Sequence, residues 1–501
     1  MLKIIREPRV QAFCKVLATA LGAFCVIALF ARIVCGVWPH EIWLPASNRN
    51  DEVVYNRQLA AVLKDGVPQA QFGFNESEAE VGTFGAWGPA PFCMYALPAL
   101  LMRGGGNMLL RCNLLLAVVG WTFFACAVKL DWKRQLLCGA AFFLFRIPLF
   151  YACTGMTECL HNTLLMLILG AAIACRQRYS RGMLAVLMLA CAAETLVRPY
   201  GAVFWLFPLL VVWQKRSKVG IALCFVGGGA SLLGSAWMIM RATAPYFFSR
   251  FDFGPLYLLR DGKILKLVQS LCGKAYSAWK GAIVPALFNQ SRDTVIYGAF
   301  FLLLAVTVAL WGWDVYHKRP IYWKSVMLIC VLLIFLTLIV MYPAEASRHC
   351  IVLVIGMILV LAVEDRNLLA LALVPLALLW VLTPDFGEEL PRYDAALDSE
   401  LQTIHAALAQ SQQELGPQAT RWDRTLAYSY LDDASYQYLY GLPDGMGIEF
   451  DLNTYLAEEE NEIRSRYVMT SAGSEVEARL LAEQWQPLLE EEQLVIYQKA
   501  N

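Results

Sequence analysis

Charged side chains are scarce in this sequence. Asp, Glu, Lys and Arg make up 16% of its 501 residues, against 58% hydrophobic residues and a mean hydropathy of +0.50. Soluble domains carry about a quarter charged residues, so a soluble globular protein is excluded and a polytopic membrane protein is expected. There is no Gly-rich phosphate cradle, no Cys-x-x-Cys pair, no nucleophile elbow and no basic nucleic-acid motif. Nothing therefore supports nucleotide-hydrolysing, thiol-redox, serine-hydrolase or nucleic-acid-binding chemistry. No internal repeat is visible, which counts against a transporter built from two related halves. Cysteine is absent beyond residue 350, and all fifteen cysteines lie in the apolar part of the chain. They read as small buried hydrophobes and not as a disulfide framework; Cys93, Cys272 and Cys350 are the ones placed to face outward and bridge. A cleavable signal peptide is also missing, because the basic start (Lys3, Arg6, Arg9, Lys15) runs into an apolar stretch of about 25 residues, long enough to stay as an anchor.

The net charge of zero hides an asymmetry. Residues 384–501 hold 7 Lys or Arg against 23 Asp or Glu, a net of −16, and the rest of the chain holds 34 against 18, a net of +16. A membrane body at 1–383 is thus expected to carry an acidic tail domain at 384–501. Apolar runs occur near 11–38, 88–102, 107–128, 135–152, 156–175, 182–198, 200–213, 219–240, 294–313, 325–343, 349–363 and 368–383. If all of them crossed, the basic loops 176–178 and 214–218 would face outward, against the positive-inside rule. The run 88–102 is short and broken by Pro89, Pro91 and Pro98. Reading it as re-entrant or interfacial leaves about eleven transmembrane helices and turns every later basic loop inward. Loops 39–106 and 241–293 and the tail then share the outer face. Loop 241–293 mixes aromatic and basic residues and reads as one or two interfacial helices, a lid. In the tail, helix-like stretches (394–414, 474–486) alternate with strand-like runs (426–430, 467–470, 494–497), which predicts a small α/β domain.

The most informative residues follow the first span, in the run Asn50-Asp51-Glu52-Val53-Val54-Tyr55. Tyr55, Leu59, Val62 and Leu63 recur at helical spacing, which predicts an interfacial helix capped by Asn50 and ended by Gly66. Two carboxylates at a helix N-terminus are favoured by its dipole, so the pair offers a carboxylate at the membrane–water boundary. Other ionisable residues gather at outward helix ends: Glu158 with His161, Glu194 with Arg198, and Arg348 with His349, while Arg146 sits inside an apolar run. Ionisable groups in membrane helices are costly and are functional candidates by default. Glu194 and Arg198, one turn apart, are spaced to pair with each other, and Arg146 to snorkel or meet an acid. Arg348 beside His349 reads as a phosphate clamp, since a guanidinium matches phosphate oxygens two at a time. Glu76, Glu78 and Glu80 read as a solvated acidic run. The turn Trp87-Gly88-Pro89-Ala90-Pro91 brings the short apolar segment back towards the site.

With these motifs the chain resembles the GT-C superfamily of polytopic glycosyltransferases, in the branch similar to protein mannosyltransferases and aminoarabinose transferases. Those proteins carry an Asp-Glu-x-x-Tyr type motif on an interfacial helix of the first outward loop, as in Asp51-Glu52-Val53-Val54-Tyr55 here. Trp87 to Tyr95 stands loosely where the family has a Pro-Pro-Leu-Gly-Tyr-like element. Arg146 to Glu158 is similar to its Pro-Leu stretch and second outward loop, with Glu158 in place of the usual Asp. The resemblance covers about residues 10–383 and implies an α-helical membrane fold. It further implies inverting transfer of a sugar from a polyprenyl-phosphate donor to a glycan, protein or lipid acceptor outside the cytoplasm, in a plasma membrane of bacterial type. In that reading Asp51 and Glu52 are catalytic, with Asp51 activating or orienting the acceptor hydroxyl. Tyr55, Glu158, His161, Arg198, Arg250, Arg348 and His349 bind substrate, the arginines meeting the leaving phosphate. A divalent ion, Mg or Mn, is an open option, with Asp51, Glu52, Glu158 and His161 as candidate ligands. The competing classes are a multi-pass transporter or lipid flippase, whose charges would lie near the bilayer midplane, and a non-catalytic envelope-assembly scaffold, in which Asp51 would be dispensable.

Overall fold

Small residues let the central helices approach closely. Met108–Val128 crosses Glu158–Gln177 where Gly120 meets Thr163 and Gly170 meets Phe124; a Cβ on either glycine would lie 3.1 Å from the opposing helix. Without an aqueous driving force between helices in a bilayer, such contacts and buried hydrogen bonds hold a bundle together. The computed structural model describes residues 8–46, 48–66, 71–76, 87–102, 107–242, 252, 254–289, 291–341, 346–364, 366–383, 389–429, 435–456 and 461–499. Among these, seven helices are long and apolar enough to cross a membrane: Arg9–Val34, Met108–Val128, Glu158–Gln177, Lys218–Ala242, Arg292–Tyr316, Tyr322–Val340 and Ser347–Glu364. The other expected crossings correspond to shorter or broken helices, Trp132–Phe145 followed by Ile147–Ala152, Arg181–Val197, Pro199–Trp205 followed by Leu206–Gln214, and Arg366–Leu382. Ala90–Leu101 has twelve residues with Pro98 inside; at about 18 Å it is too short to span the bilayer.

Arg146 marks the break in one of these helices, at φ +64°. Its guanidinium is buried and does not snorkel. It donates to the Thr383 carbonyl and hydroxyl at 2.7 Å and lies 4.2 Å over the Trp380 ring. No two of the fifteen cysteines are joined in a disulfide, and Cys350 is buried, so the expected bridge among Cys93, Cys272 and Cys350 does not form.

Two elements lie outside the bundle. Helix Asn50–Asp65 ends at Gly66 with φ +73°, a left-handed cap that glycine adopts without strain. At its start the cap position belongs to Arg49, not Asn50, and no side chain caps it. In loop 241–293 the described residues form Gly254–Arg260 and Ile264–Ala278, the second strongly amphipathic with Ile264, Leu265 and Tyr276 exposed.

The tail carries a six-stranded sheet. Its strands are β1 (Phe72–Phe74), β2 (Thr425–Ser429), β3 (Gly447–Phe450), β4 (Tyr467–Ser471), β5 (Gln486–Glu490) and β6 (Leu494–Gln498), in the order β1-β3-β2-β4-β6-β5. The pairs β1–β3, β3–β2 and β2–β4 are parallel, and β4–β6 and β6–β5 antiparallel. Strand alternation gives it two apolar faces. Leu426, Tyr428, Ile448 and Met469 pack on helix Ala395–Gln413 and on Val53 and Val54, while Ala427, Val468 and Val495 pack on helix Glu475–Ala482. One edge strand, β1, comes from the long loop after the first membrane helix, so loop and tail share one sheet.

Glu76, just past β1, is not a solvated residue. It is buried and accepts the backbone N–H groups of Arg464 and Ser465 at 2.6 and 2.8 Å, and burial raises its carboxyl above the ordinary value. Glu78 and Glu80 lie outside the described residues.

Candidate active site

Four elements end at one place. Asp51 stands in the first turn of Asn50–Asp65, and Glu158 is the first residue of Glu158–Gln177. Arg348 belongs to the short turn Ala346–His349. Arg198 is delivered by Pro199: the residue before a proline avoids helical geometry, and Arg198 is extended (φ −142°, ψ 111°) where helix Arg181–Val197 stops. Its side chain thereby leaves the line of that helix.

The four side chains form a string of alternating charge. Arg348 Nη1 donates to Asp51 Oδ2 at 2.9 Å, and Arg348 Nε lies 3.7 Å from Glu158 Oε1. Arg198 Nη2 reaches the same Glu158 oxygen at 3.6 Å and donates to the Thr157 hydroxyl at 3.3 Å. The Arg198 guanidinium also covers the Trp87 ring at 4.3 Å. Asp51 is the open end of the string, with its side chain 38% exposed against 3% for Glu158. Glu158 accepts no hydrogen bond from the described residues, and Arg198 Nε and Nη1 donate none. An unmet buried polar atom costs about 1–3 kcal/mol, so these atoms mark a place built for another group: donors to meet Glu158 and acceptors to meet Arg198.

A second string lies behind the first. Glu194 abuts His161 Nδ1; the Tyr200 hydroxyl is 3.2 Å from His161 Nε2 and 3.0 Å from His349 Nδ1. Trp87 closes over it, edge-on to His349 (5.2 Å) and to Tyr200 (6.2 Å). The anticipated Glu194–Arg198 side-chain pair does not exist: Glu194 turns to His161 and Arg198 to Glu158.

The adjacent acids part company as well. Glu52 is fully buried, accepts the Gly155 N–H at 2.9 Å and lies 3.8 Å from Arg49. It fastens the interfacial helix to the turn before Glu158 and stands apart from the string that joins Asp51, Arg348, Glu158 and Arg198. Tyr55 packs on Phe92 at 5.4 Å, and burial followed by the Asp51 charge raises its phenol well above the ordinary value; it supports the helix and stays protonated. Arg250 lies outside the described residues. The metal option fits poorly. Among the described residues no group of three His, Cys, Asp or Glu could hold an ion, a guanidinium stands between Asp51 and Glu158, and both His161 nitrogens are engaged. Tyr200 was not singled out by the sequence reading, and Trp87 was read only as part of a turn; the signal for both was an aromatic ring beside a proline turn at a helix end.

No protein-family model matches the chain, and no curated protein does. Solved structures do. The oligosaccharyltransferase of Archaeoglobus fulgidus, tethered to an acceptor peptide, superposes with a TM-score of 0.51 at 10% identity over 91% of this chain and 69% of that one. The same organism's AglB, in complex with an inhibitory peptide and a dolichol-phosphate, gives 0.50 at 11% identity, again over 91% and 69%. The chain shares the fold of these two structures. ArnT of Cupriavidus metallidurans, bound to undecaprenyl phosphate, matches at 0.40 with 12% identity over 96% and 97%, too slight a likeness to build on. At such identities the fold is shared, and the chemistry rests on the residues of this chain.

Proposed function

We propose that this protein is an inverting glycosyltransferase that moves a sugar from a polyprenyl-phosphate donor to an acceptor hydroxyl on the outer face of the membrane. The observation that carries the reading is the string Asp51–Arg348–Glu158–Arg198, one reachable carboxylate followed by two guanidiniums that flank a buried acid. Glycosyl transfer with inversion needs one base near the acceptor and cations on the leaving phosphate. Arg198, with two nitrogens unspent, and Arg348 are placed for the phosphate oxygens. The Glu158 carboxylate is placed to accept from donor hydroxyls. When phosphate claims Arg348, Asp51 is released from that ion pair and is free to turn to the acceptor hydroxyl. It then takes the acceptor proton as the acceptor oxygen bonds to the anomeric carbon and the bond to phosphate oxygen breaks, its electron pair leaving with the lipid phosphate. The dolichol-phosphate found with AglB is consistent with this donor class.

The test is transfer of labelled sugar from polyprenyl-phosphate sugars by the protein in nanodiscs, with and without EDTA. Asp51→Asn is expected to lose at least about 100-fold in rate, the scale of a positioned base, with folded yield unchanged. Because Arg348 bridges the acids that a metal would need, EDTA is expected to leave the wild-type rate intact. Normal turnover by Asp51→Asn would remove Asp51 from the mechanism, and loss with EDTA restored by Mg or Mn would reinstate the metal.

A further inference from the structure

The feature that marks Arg198, a guanidinium on an aromatic ring with donors idle, recurs at the other end of a helix that serves the candidate active site. Glu158–Gln177 starts at Glu158 and carries Arg176 in its last turn. The 18 residues between them (176 − 158) rise about 27 Å, close to the roughly 30 Å of a bilayer's hydrocarbon core. Arg176 therefore stands at the face of the membrane opposite Asp51. Its guanidinium lies 3.7 Å over the Tyr322 ring and 5.7 Å from the Trp323 ring. Its Nη1 is buried and meets no acceptor among the described residues. Rings beneath a guanidinium fix its plane and leave the edge of N–H groups for a partner.

A cavity of about 360 Å³ opens beside it, walled by Arg176, Arg319, Tyr322, Trp323 and Lys324 together with Asp314 and Glu364. The two acids belong to other cations. Both meet Lys324, which is 1% exposed, and Asp314 Oδ1 lies 3.9 Å from Arg319 Nη1. Arg319 is brought there by the turn after Arg292–Tyr316, where its N–H donates to the Asp314 carbonyl at 2.8 Å, and its side chain is 61% exposed. Three cations against two carboxylates leave the cavity with one positive charge. Lys324 is spent on the acids, so the excess falls to the two guanidiniums. A guanidinium matches phosphate oxygens two at a time. The depth says which phosphate. Exposed Tyr179, Trp213, Trp313, Tyr316 and Tyr322 sit at the same helix ends, the belt that aromatic rings form at a membrane–water boundary. The cavity is thus level with lipid headgroups.

We propose that this cavity binds the headgroup phosphate of an anionic phospholipid from the leaflet opposite Asp51, held by Arg176 and Arg319. A choline headgroup would bring a cation of its own against the excess positive charge, so an anionic lipid is favoured. A bound lipid would touch helices Glu158–Gln177, Tyr322–Val340 and Ser347–Glu364 at once and hold their ends together. The site is separate from the donor phosphate at Arg198 and Arg348 and does not depend on the transfer reaction.

The probe is dioleoyl phosphatidylglycerol, added to the delipidated full-length protein in neutral detergent. Dioleoyl phosphatidylcholine is the zwitterionic lipid with the same chains, and inorganic phosphate supplies the anion without a lipid. Native mass spectrometry reads lipid bound, and thermal melting reads stabilisation. The wild type is expected to bind phosphatidylglycerol at least about fivefold tighter than phosphatidylcholine, and Arg176→Gln and Arg319→Gln are each expected to lose about fivefold of that affinity, the scale of one basic residue against an anionic lipid. Arg178→Gln changes an exposed residue outside the cavity and is expected to lose nothing. Arg319 is exposed, so its variant carries the test even where Arg176→Gln folds poorly. Equal affinity for the two lipids, or an equal loss in Arg178→Gln, would reduce the attraction to the diffuse charge of the basic loops and overturn the site. Stabilisation by inorganic phosphate as large as that by phosphatidylglycerol would give the cavity to a soluble phosphate and overturn the lipid.

Discussion

A buried guanidinium with idle donors is an expensive thing to keep. Arg198 is 2% exposed, stacked on Trp87 and bonded through one nitrogen to Thr157. Lysine at that position would keep the charge and lose both the fork and the stacking surface. Arg198→Lys is therefore expected to raise KM for the lipid donor by about tenfold, the effect of losing roughly 1.4 kcal/mol of binding, with a smaller change in kcat; steady-state kinetics at saturating acceptor measure both. An unchanged KM would take Arg198 out of the phosphate site. At this scale the identity of the residues was legible and their partnership was not. Asp51 stands out as an acid at the start of a predicted interfacial helix, and Glu158, Arg198 and Arg348 as ionisable groups at the ends of apolar runs. Spacing along a helix then pairs Glu194 with Arg198, yet Pro199 ends the helix and swings Arg198 to an acid forty residues earlier in the chain. Glu52 follows Asp51 directly, but the next residue on a helix points about 100° further round, and here that direction leads into the packed turn at Gly155.

The elements that hold the site depend on close backbone approach, and Gly201 shows how close. A Cβ there would lie 2.8 Å from Glu194 Cγ and 2.9 Å from the Glu194 carbonyl oxygen, so the turn after Arg198 can fold back on Glu194 only without a side chain. Gly201→Ala is expected to push Glu194 away from His161 and to destabilise by about 1–3 kcal/mol, as overpacking does. Gly234→Ala is the control, since its Cβ would meet only Leu196 at an ordinary 3.7 Å. Thermal melting of the two variants in the same nanodiscs checks this, and equal melting temperatures would show that the turn can relax. Helices were readable because each spends a long apolar run on the bilayer or the bundle. Strands β2, β4 and β6 were readable too, being apolar segments bounded by polar turns. The other three were hidden for local reasons: β1 is three residues within a long loop, β3 carries the buried Glu449 amid its apolar residues, and β5 is a largely exposed edge strand with Pro487 in it, where proline is tolerated.

At the scale of the molecule, the interfacial helix is the joint between membrane body and tail. On one side Glu52 and Tyr55 bind it to the bundle. On the other, Arg57 donates to the carbonyls of Leu442, Pro443 and Met446 at 3.3, 3.1 and 2.7 Å, Asn56 donates to the Tyr440 hydroxyl at 3.4 Å, and Val53 and Val54 enter the apolar face of the sheet. Burial pulls the Arg57 guanidinium down to about 10, still protonated at neutral pH. Because β1 is a strand of the tail's own sheet, the loop that carries Asp51 and the tail occupy the same side of the membrane, and a displacement of the tail is transmitted to the helix that carries Asp51. Arg57→Met keeps the length of the side chain and deletes the three charge-assisted bonds, leaving carbonyls that lose about 1.5–3 kcal/mol of stabilisation between them. Amide hydrogen exchange of the nanodisc-bound protein then separates two outcomes. If the joint is local, β3, whose Ile448 N–H donates to Gln71 of the loop at 2.9 Å, exchanges about 10- to 100-fold faster in the variant, while the paired amides of β4 and β6 keep their protection because Leu480, Val476 and helix Ala395–Gln413 still cover them. Uniform deprotection of all the strands would instead mean that the tail has no stability apart from its seat on the interfacial helix, and that loop, tail and the helix carrying Asp51 fold as one cooperative unit.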